Sequence, residues 1–370
     1  MAPNSPASFS ATDHRLMARA LQLAERGLTT TTPNPRVGCV IAHGESIVGE
    51  GWHQRAGEPH AEVIALRQAG DRARGATAYV TLEPCAHHGR TPPCADALVA
   101  AGVARVVSAL SDPNPKVSGR GTQRIRDAGI IADEGLMRAE AESLNIGFIS
   151  RMTRGRPWVR LKVATTLDGK TALNNGVSQW ITGPQARADG HAWRARACAV
   201  LTGFGTVRED NPQLNVRAVP CERQPLKVVV DSRLETPLDA RLFDGSPVLI
   251  AAAIDDADKI SALAGKNAEV VLLPNTHGKV ELADLFQELG RRGINEVHVE
   301  AGFKLNGSLL REDCVDELLI YQAPMLVGDA AQGAFNLEEL VSLDGAKRLE
   351  VFDRRILGDD LRIRARISRD

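Results

Sequence analysis

His60, Glu62, Cys85 and Cys94 are the side chains whose types and spacing could do chemistry together. PHAEVIAL, residues 59–66, sets a histidine and a glutamate two positions apart where a helix is expected to begin. TLEPCAHHGRTPPC, residues 81–94, supplies two cysteines. A catalytic zinc needs three nitrogen or sulfur ligands and one position left open for water. His60, Cys85 and Cys94 are of those types, and helix N-termini favour thiolate over thiol. Zinc acidifies its water toward neutrality, which leaves Glu62 to carry the proton from that water to a leaving amine. Alone, His60 reads equally well as a core histidine, and the cysteines as a structural zinc site or a buried pair. The four together, at helix starts and just after a strand, point to hydrolysis at a metal.

These side chains must be positioned by helices covering a mixed sheet. Thr12 can cap a first helix whose Leu16, Met17, Ala20, Leu21 and Ala24 share an apolar face and which Gly27 ends. VGCVI and SIVGEG, joined by Ala-His-Gly-Glu, read as a hairpin, with Cys39 in the core and His43 in the turn. HAEVIALRQAG and PPCADALVAAG read as helices, and ATAYVTL and VARVVSAL as strands. TQRIRDAGIIADEG closes this half by about residue 150, and the order α-β-β-α-β-α-β suits an α/β fold. RMTRGRP, residues 151–157, is basic and polar and is placed as a flexible boundary.

Beyond it, WVRLKVA, CAVLTG, LKVVVDS, PVLIAAA, AEVVLLP and INEVHVEAG suit a buried, largely parallel sheet. PQARADGHAWRARA and VELADLFQELGRRG read as helices between strands, and RRILGDDLRIRARI as a final antiparallel pair. Spacing alone says less about chemistry here. In VHVEAGFKLNGSLL a strand ends at Glu300, glycines follow at 302 and 307, and a helix begins, a layout that can present backbone N–H groups to a diphosphate. TGFGTV, residues 202–207, is a second glycine turn after a strand. Neither is the G-x-G-x-x-G fingerprint, and such turns are common.

At 370 residues, two domains are expected rather than one core. A formal net charge of −1 gives no electrostatic footprint for nucleic acid or an anionic membrane. No apolar run is long enough for a transmembrane helix, and MAPNSPASFSATDH lacks the layout of a secretory signal. Six scattered cysteines make no disulfide framework, so a cytoplasmic protein with reduced thiols is expected.

The pattern H-A-E followed by P-C-x8-C resembles the zinc deaminases of nucleobases, whose signature is H-x-E…P-C-x-x-C. Eight residues separate the cysteines here where two are usual. With PNPRVGCVI (33–41), GWHQRAGEPHAEVIAL (51–66), ATAYVTLEPCAHHGRTPPC (76–94) and DPNPKVSGRG (112–121), that longer gap resembles the deaminase half of the RibD family, bifunctional enzymes of riboflavin biosynthesis. The resemblance implies a cytidine-deaminase-like three-layer α/β/α domain over residues 1–150, with 1–11 a disordered leader. It also implies one Zn2+ per chain and hydrolytic deamination of a phosphoribosylated diaminopyrimidinone. On matching positions Asn34, His53, Arg90, Asp112 and Asn114 would contact that substrate, with Arg90 suited to a phosphate. Asn34 and Asn114, each followed by proline, serve equally as turn residues. His87 and His88 are either extra ligands or a solvated loop.

LKVATTLDGKTA (161–172), SQWITGPQAR (178–187), VLTGFGTVREDNPQLNVR (200–217), VVVDS (228–232) and VEAG (299–302) are similar to the reductase half of the same family. That similarity implies a dihydrofolate-reductase-like α/β domain over 157–370 that uses NADPH to reduce the ribosyl group to a ribityl chain. Ala164, Trp180, Thr206, Asp210 and Ser232 would hold the cofactor, with a loop of Gly302, Phe303, Lys304, Leu305, Asn306, Gly307 and Ser308. Ser178, Arg194, Leu214, Arg217 and Glu300 would hold the substrate, the arginines through its phosphate. Each arginine could instead sit in a salt bridge, and Trp180 in the core. Lys162 and Asp168 are candidates near the reacting carbon, and Ser232 and Arg233 for the 2′-phosphate. The chain departs from the family at Thr165-Thr166, where a serine is frequent, at GFG (203–205) and at FKLNG (303–307). A homodimer or larger homo-oligomer is expected, with no nucleic-acid or membrane partner.

Two rival readings use the same residues. A base-editing deaminase of tRNA shares the zinc chemistry, but only 4% aromatic residues and the near-neutral charge argue against an RNA-stacking surface. A non-catalytic zinc scaffold would close the site with a fourth protein ligand, a place that Glu62 fills less well than it fills that of a proton carrier.

Overall fold

The computed structural model describes residues 8–86, 93–114 and 118–368. The chain divides into two compact units, Met1–Gly155 and Arg156–Asp370.

The first unit runs α1 (Ala11–Glu25), β1 (Gly38–His43), β2 (Ser46–Trp52), α2 (Ala61–Ala69), β3 (Thr77–Val80), α3 (Cys94–Ala101), β4 (Arg105–Ser108), α4 (Arg120–Asp127), β5 (Ile131–Glu134), α5 (Arg138–Leu144) and α6 (Ile146–Arg154). Its sheet has the order β2-β1-β3-β4-β5. β1 is antiparallel to both neighbours, and β3, β4 and β5 are parallel. Period-two alternation along β1 feeds two cores. Val40 and Ala42 pack with Leu16, Met17 and Ala20 of α1 on one face. Cys39 and Ile41 pack with Ala61 and Ala65 of α2 and Leu98 of α3 on the other. The result is the three-layer α/β/α arrangement expected from the sequence. α2 lies so close to the sheet that a Cβ at Gly51 would stand 2.4 Å from the Ala61 carbonyl oxygen. That approach seats the start of α2, and with it His60.

Three expectations are corrected here. Ser10, not Thr12, caps α1: its hydroxyl accepts from the Asp13 N–H at 3.1 Å, and the Asp13 carboxylate accepts from the Ser10 N–H at 2.9 Å. A capping box needs an acidic partner three residues on, which Ser10 has in Asp13 and Thr12, followed by Arg15, does not. Phe9 packs against the α1 core and α1 starts at Ala11, so residues 9–11 are ordered rather than part of a leader. The boundary segment is helical through Arg154, because Phe148, Ile149 and Met152 pack onto the same core.

The second unit comprises β6 (Trp158–Thr166), β7 (Lys170–Ala172), α7 (Pro184–Arg196), β8 (Ala199–Gly203), α8 (Phe204–Asp210), β9 (Leu226–Val230), β10 (Val248–Ala252), α9 (Ala257–Ala264), β11 (Ala268–Leu272), α10 (Leu282–Arg291), β12 (Glu296–Val299), α11 (Phe303–Arg311), β13 (Glu317–Ala323), β14 (Gln332–Gly333), β15 (Leu349–Leu357) and β16 (Asp360–Ile367). A nine-stranded sheet has the order β11-β10-β9-β8-β12-β6-β13-β16-β15. Its first seven strands are parallel, and the β15–β16 hairpin joins β13 antiparallel. Parallel strands end on one edge, and α/β sheets bind ligands outside those carboxyl ends. β8 and β12 are neighbours that each run into a helix there, α8 and α11. No helix among the described residues is long and apolar enough to cross a membrane.

Candidate active sites

His60 is the N-cap residue of α2, Cys94 the first residue of α3, and Cys85 follows β3. Their ligand atoms all lie within 4.8 Å of one another. His60 Nδ1 stands 3.2 Å from Cys94 Sγ and 3.7 Å from Cys85 Sγ, and the Cys94 N–H donates to Cys85 Sγ at 3.3 Å. One imidazole and two sulfurs converging at two helix starts is a donor set that fits zinc with a fourth position open. The Cys94 contact, reinforced by His60 against burial, holds the Cys85 thiol well below the usual thiol range. The same contact, with burial, pushes Cys94 up. Glu62, in the first turn of α2, is 3% exposed. Burial pushes its carboxyl up, against the pull of His60.

His53 joins this centre. Its ring meets that of His60 edge to face at 5.4 Å, its Nδ1 lies 3.3 Å from the Pro59 carbonyl, and its Nε2 lies 3.1 Å from Asn34 Nδ2. These contacts suit a tautomer in which Nδ1–H donates to Pro59 and Nε2 accepts from Asn34. Burial holds the ring's pKa down. The Asn34 loop is held from α5 and α6, residues in which the sequence offers no sign of a site. Arg36 exchanges hydrogen bonds with the Asn145 side chain at 2.8 and 2.9 Å and donates to the Leu144 carbonyl, while Arg151 donates to the Pro33 carbonyl. Asp112 accepts the Asn114 N–H at 2.8 Å in a local turn. Arg90, His87 and His88 lie outside the described residues.

The second unit holds a cleft of about 780 Å3 at the carboxyl ends of its strands. Ala164, Trp180, Thr206 and Asp210 line it, as do Ser178, Arg194, Leu214, Arg217 and Glu300. Trp180 is 63% exposed under the Arg187 guanidinium, 4.7 Å from the ring centroid, rather than in the core. Arg194 and Glu300 form a two-bond pair, with Nη2 2.7 Å from Oε2 and Nε on Oε1, and Arg194 Nη1 also donates to the Asn215 carbonyl. Burial works to raise the Glu300 carboxyl, but Arg194 outweighs it and holds the group well below the usual range. Lys162 lines the cleft, its pKa lowered by burial. Asp168 instead buttresses a turn, accepting from Thr166 and from the Val327 and Gly328 N–H groups.

The segment expected as a cofactor loop is the start of α11. Leu305, Leu309 and Leu310 turn to the core, and only Gly302, Phe303 and Asn306 line the cleft. Lys304, Leu305, Gly307 and Ser308 do not. Gly307 backs onto the chain, since a Cβ there would lie 2.1 Å from the Asn336 carbonyl oxygen. Ser232 is also outside the lining, and its hydroxyl accepts the Val280 N–H at 3.2 Å.

Residues 10–110 match the cytidine and deoxycytidylate deaminase zinc-binding region, and residues 157–360 match the RibD C-terminal domain. The riboflavin biosynthesis protein RibD of Escherichia coli (strain K12) is 48% identical over 94% of this chain and 98% of its own length. That of Haemophilus influenzae is 46% identical over 96% of this chain and 97% of its own. The chain belongs to the RibD family. The structure of Acinetobacter baumannii RibD, form 1, superimposes with a TM-score of 0.89 at 43% identity, covering 97% of this chain and 99% of that one. A Thermotoga maritima structure, described as a diaminohydroxyphosphoribosylaminopyrimidine deaminase/5-amino-6-(5-phosphoribosylamino)uracil reductase, gives 0.87 at 33% identity, covering 96% and 99%. Both fold classes expected from the sequence, the zinc-dependent deaminase and the NADPH-dependent reductase, are those of RibD. The tRNA-editing and scaffold readings fall with that membership.

In this RibD-family chain one buried carboxylate stands out that spacing did not reveal. Glu83 Oε2 accepts the Asp112 and Gly119 N–H groups at 3.1 and 2.9 Å, and Oε1 accepts those of Gly121 and Thr122 at 2.9 and 3.1 Å. Glu83 is two residues from Cys85, so it ties the Cys85 loop to the segment bearing Asp112 and Asn114. Gly121 must be glycine for this, since a Cβ would fall 1.8 Å from the Pro84 carbonyl oxygen. Glu83→Gln trades charge-assisted acceptors for a neutral amide, half of which donates. We predict a roughly tenfold rise in the deaminase KM, about 1.4 kcal/mol, with zinc content kept. Steady-state ammonia release and metal analysis check it.

Proposed function

We propose that the first unit removes an amino group by hydrolysis from 2,5-diamino-6-(5-phosphoribosylamino)pyrimidin-4(3H)-one and that the second reduces the ribosyl group of the product to ribityl with NADPH. The observation that carries the reading is the convergence of His60, Cys85 and Cys94 with Glu62 buried beside them, in a chain of the RibD family.

His60, Cys85 and Cys94 hold the zinc. Zinc supplies Lewis acidity that brings the pKa of water toward neutrality. Glu62, two residues along from His60 and not itself a ligand, takes the water proton and delivers it to the departing amine, which leaves as ammonia. Its burial favours that work, because a carboxyl raised toward neutrality both accepts and donates. Asn34 and His53 orient the pyrimidine, with Asp112, Asn114 and Arg90 as its further contacts.

In the reductase cleft, the starts of α8 and α11 and the glycine at 302 suit the phosphates of a dinucleotide. NADPH supplies the hydride. Ala164, Trp180, Thr206, Asp210 and the Gly302–Phe303 turn hold it, with Ser232 and residues 304–308 as outlying positions of the family pattern. Ser178, Leu214 and Arg217 hold the sugar phosphate. Arg194, already engaged by Glu300, fixes that carboxylate rather than acting as a free cation, and Lys162 polarises the sugar carbonyl. A homodimer or larger homo-oligomer in the cytoplasm completes the reading; its support is the family, together with six free cysteines, which suit a reducing compartment.

Stripping the zinc with a chelator is predicted to abolish ammonia release, and adding Zn2+ to restore it, while NADPH oxidation on the already deaminated intermediate continues. Ammonia release that survives a zinc-free preparation would overturn the assignment.

A further inference from the structure

His191 is absent from every role above, yet it lines the reductase cleft from α7 and is only 8% exposed. Its Nδ1 accepts the backbone N–H of Arg217 at 3.4 Å. A neutral imidazole that accepts at Nδ1 carries its proton on Nε2. Burial first, then Arg194 and Arg217, push its pKa down to about 4, so the ring is uncharged at neutral pH. Among the described residues its Nε2 has no hydrogen-bond partner. The ring is largely buried, but its Nε2 is not sealed off: this donor opens onto the cleft, where a ligand can meet it.

We infer that His191 is a ligand-binding residue of the reductase cleft, and that its Nε2–H donates to a phosphoryl oxygen. The company it keeps selects that acceptor. Arg194 lies one helical turn further along α7, and Lys162, Arg217 and Arg241 line the same cleft. Of the three acids in the lining, Glu300 is occupied by Arg194, Glu209 is paired with Arg208, and Asp210 accepts from Ser178. A cluster of cations with an uncharged donor among them is built for an anion. The neutral ring adds a directed hydrogen bond where a further cation would be repelled by the arginines. Two sources can offer such an oxygen, the phosphate monoester of the sugar and the diphosphate of the cofactor. His191 is bonded to the backbone of Arg217, assigned above to the substrate, so the monoester is the one expected. This inference rests on the reductase reading.

The test uses the full-length chain with 15N-labelled histidine, the His191 ring signal being assigned by its loss in His191→Gln. Ribose 5-phosphate is expected to move that Nε2–H signal, and ribose is expected not to. In kinetics on the deaminated intermediate, His191→Leu raises KM about tenfold with kcat within a few-fold, the mark of binding lost equally from ground and transition states. His191→Gln, which can accept from Arg217 and still donate, recovers most of that loss. A signal unmoved by saturating ribose 5-phosphate overturns the proposal, as does a Gln variant as impaired as the Leu variant. A signal moved by NADP+ and not by ribose 5-phosphate overturns the monoester assignment. A native chain that oxidises no NADPH would sink the reductase reading instead, while the ring signal would still decide whether His191 binds a phosphoryl group.

Discussion

Glu62→Gln releases ammonia on the order of a thousandfold more slowly than the native chain, retains its zinc and still oxidises NADPH on the deaminated intermediate. The magnitude follows from the loss of a positioned acid–base, ordinarily worth about 10²–10⁴ in rate. Glutamine keeps the shape of the side chain but can neither take nor return a proton. The metal stays because three ligands, His60, Cys85 and Cys94, are independent of this change. The reductase stays because its cleft belongs to the other unit. Loss of zinc along with activity would make Glu62 a fourth ligand. The site would then be closed, as structural zinc sites are, and the catalytic account of the first unit would be wrong.

Arg160→Met destabilises the reductase unit by about 3–5 kcal/mol, the usual cost of removing one partner from a buried ion cluster. Arg160 is 0% exposed in the middle of the sheet, across from Glu317 of β13 in register. It donates to Glu317 at 3.1 Å and to Glu296 at 3.2 Å, and its guanidinium lies 4.3 Å from the Trp193 ring centroid. Arg364 and Arg196 supply second partners to the same carboxylates, but the buried acids are left short of charge without Arg160. Burial would raise the Glu317 carboxyl; Arg160, helped by Arg364, overrides it and holds it at about 2. A depressed carboxyl contributes stability that is complete above its ordinary value and lost as pH falls through the folded one. The gap between native and variant chains therefore narrows as pH drops from 4.5 toward about 2. Urea unfolding followed by tryptophan fluorescence reads both effects. A gap under about 1 kcal/mol, as for an exposed pair, or one indifferent to pH would contradict the account.

The metal centre was legible because its chemistry is written locally: His60 and Glu62 share one helix start, and Cys85 and Cys94 flank one loop. Most of the sheet was legible too, since buried parallel strands read as unbroken apolar runs. β13 escaped notice because ELLIYQA serves a helix or a strand until β6 and β16 are placed on either side of it. α11 begins earlier than the glycines at 302 and 307 suggest, at Phe303, because the leucines at 305, 309 and 310 turn it inward over what reads as a loop at 302–308. Glu83 left no pattern at all: its partners are backbone N–H groups 29 to 39 residues away, and backbone has no sequence signature. The Arg194–Glu300 pair spans 106 residues. Two side chains that suggested phosphate and substrate contacts thus face each other as well as the cleft, and only the fold could show it.

The most direct test adds the undeaminated diaminopyrimidinone ribosyl phosphate to the native chain and follows NADPH oxidation, with a zinc-stripped sample alongside. The account predicts oxidation in the native sample, none in the stripped one, and recovery on adding Zn2+. Oxidation that proceeds without zinc would show the reductase acting before deamination and would contradict the order of the two steps.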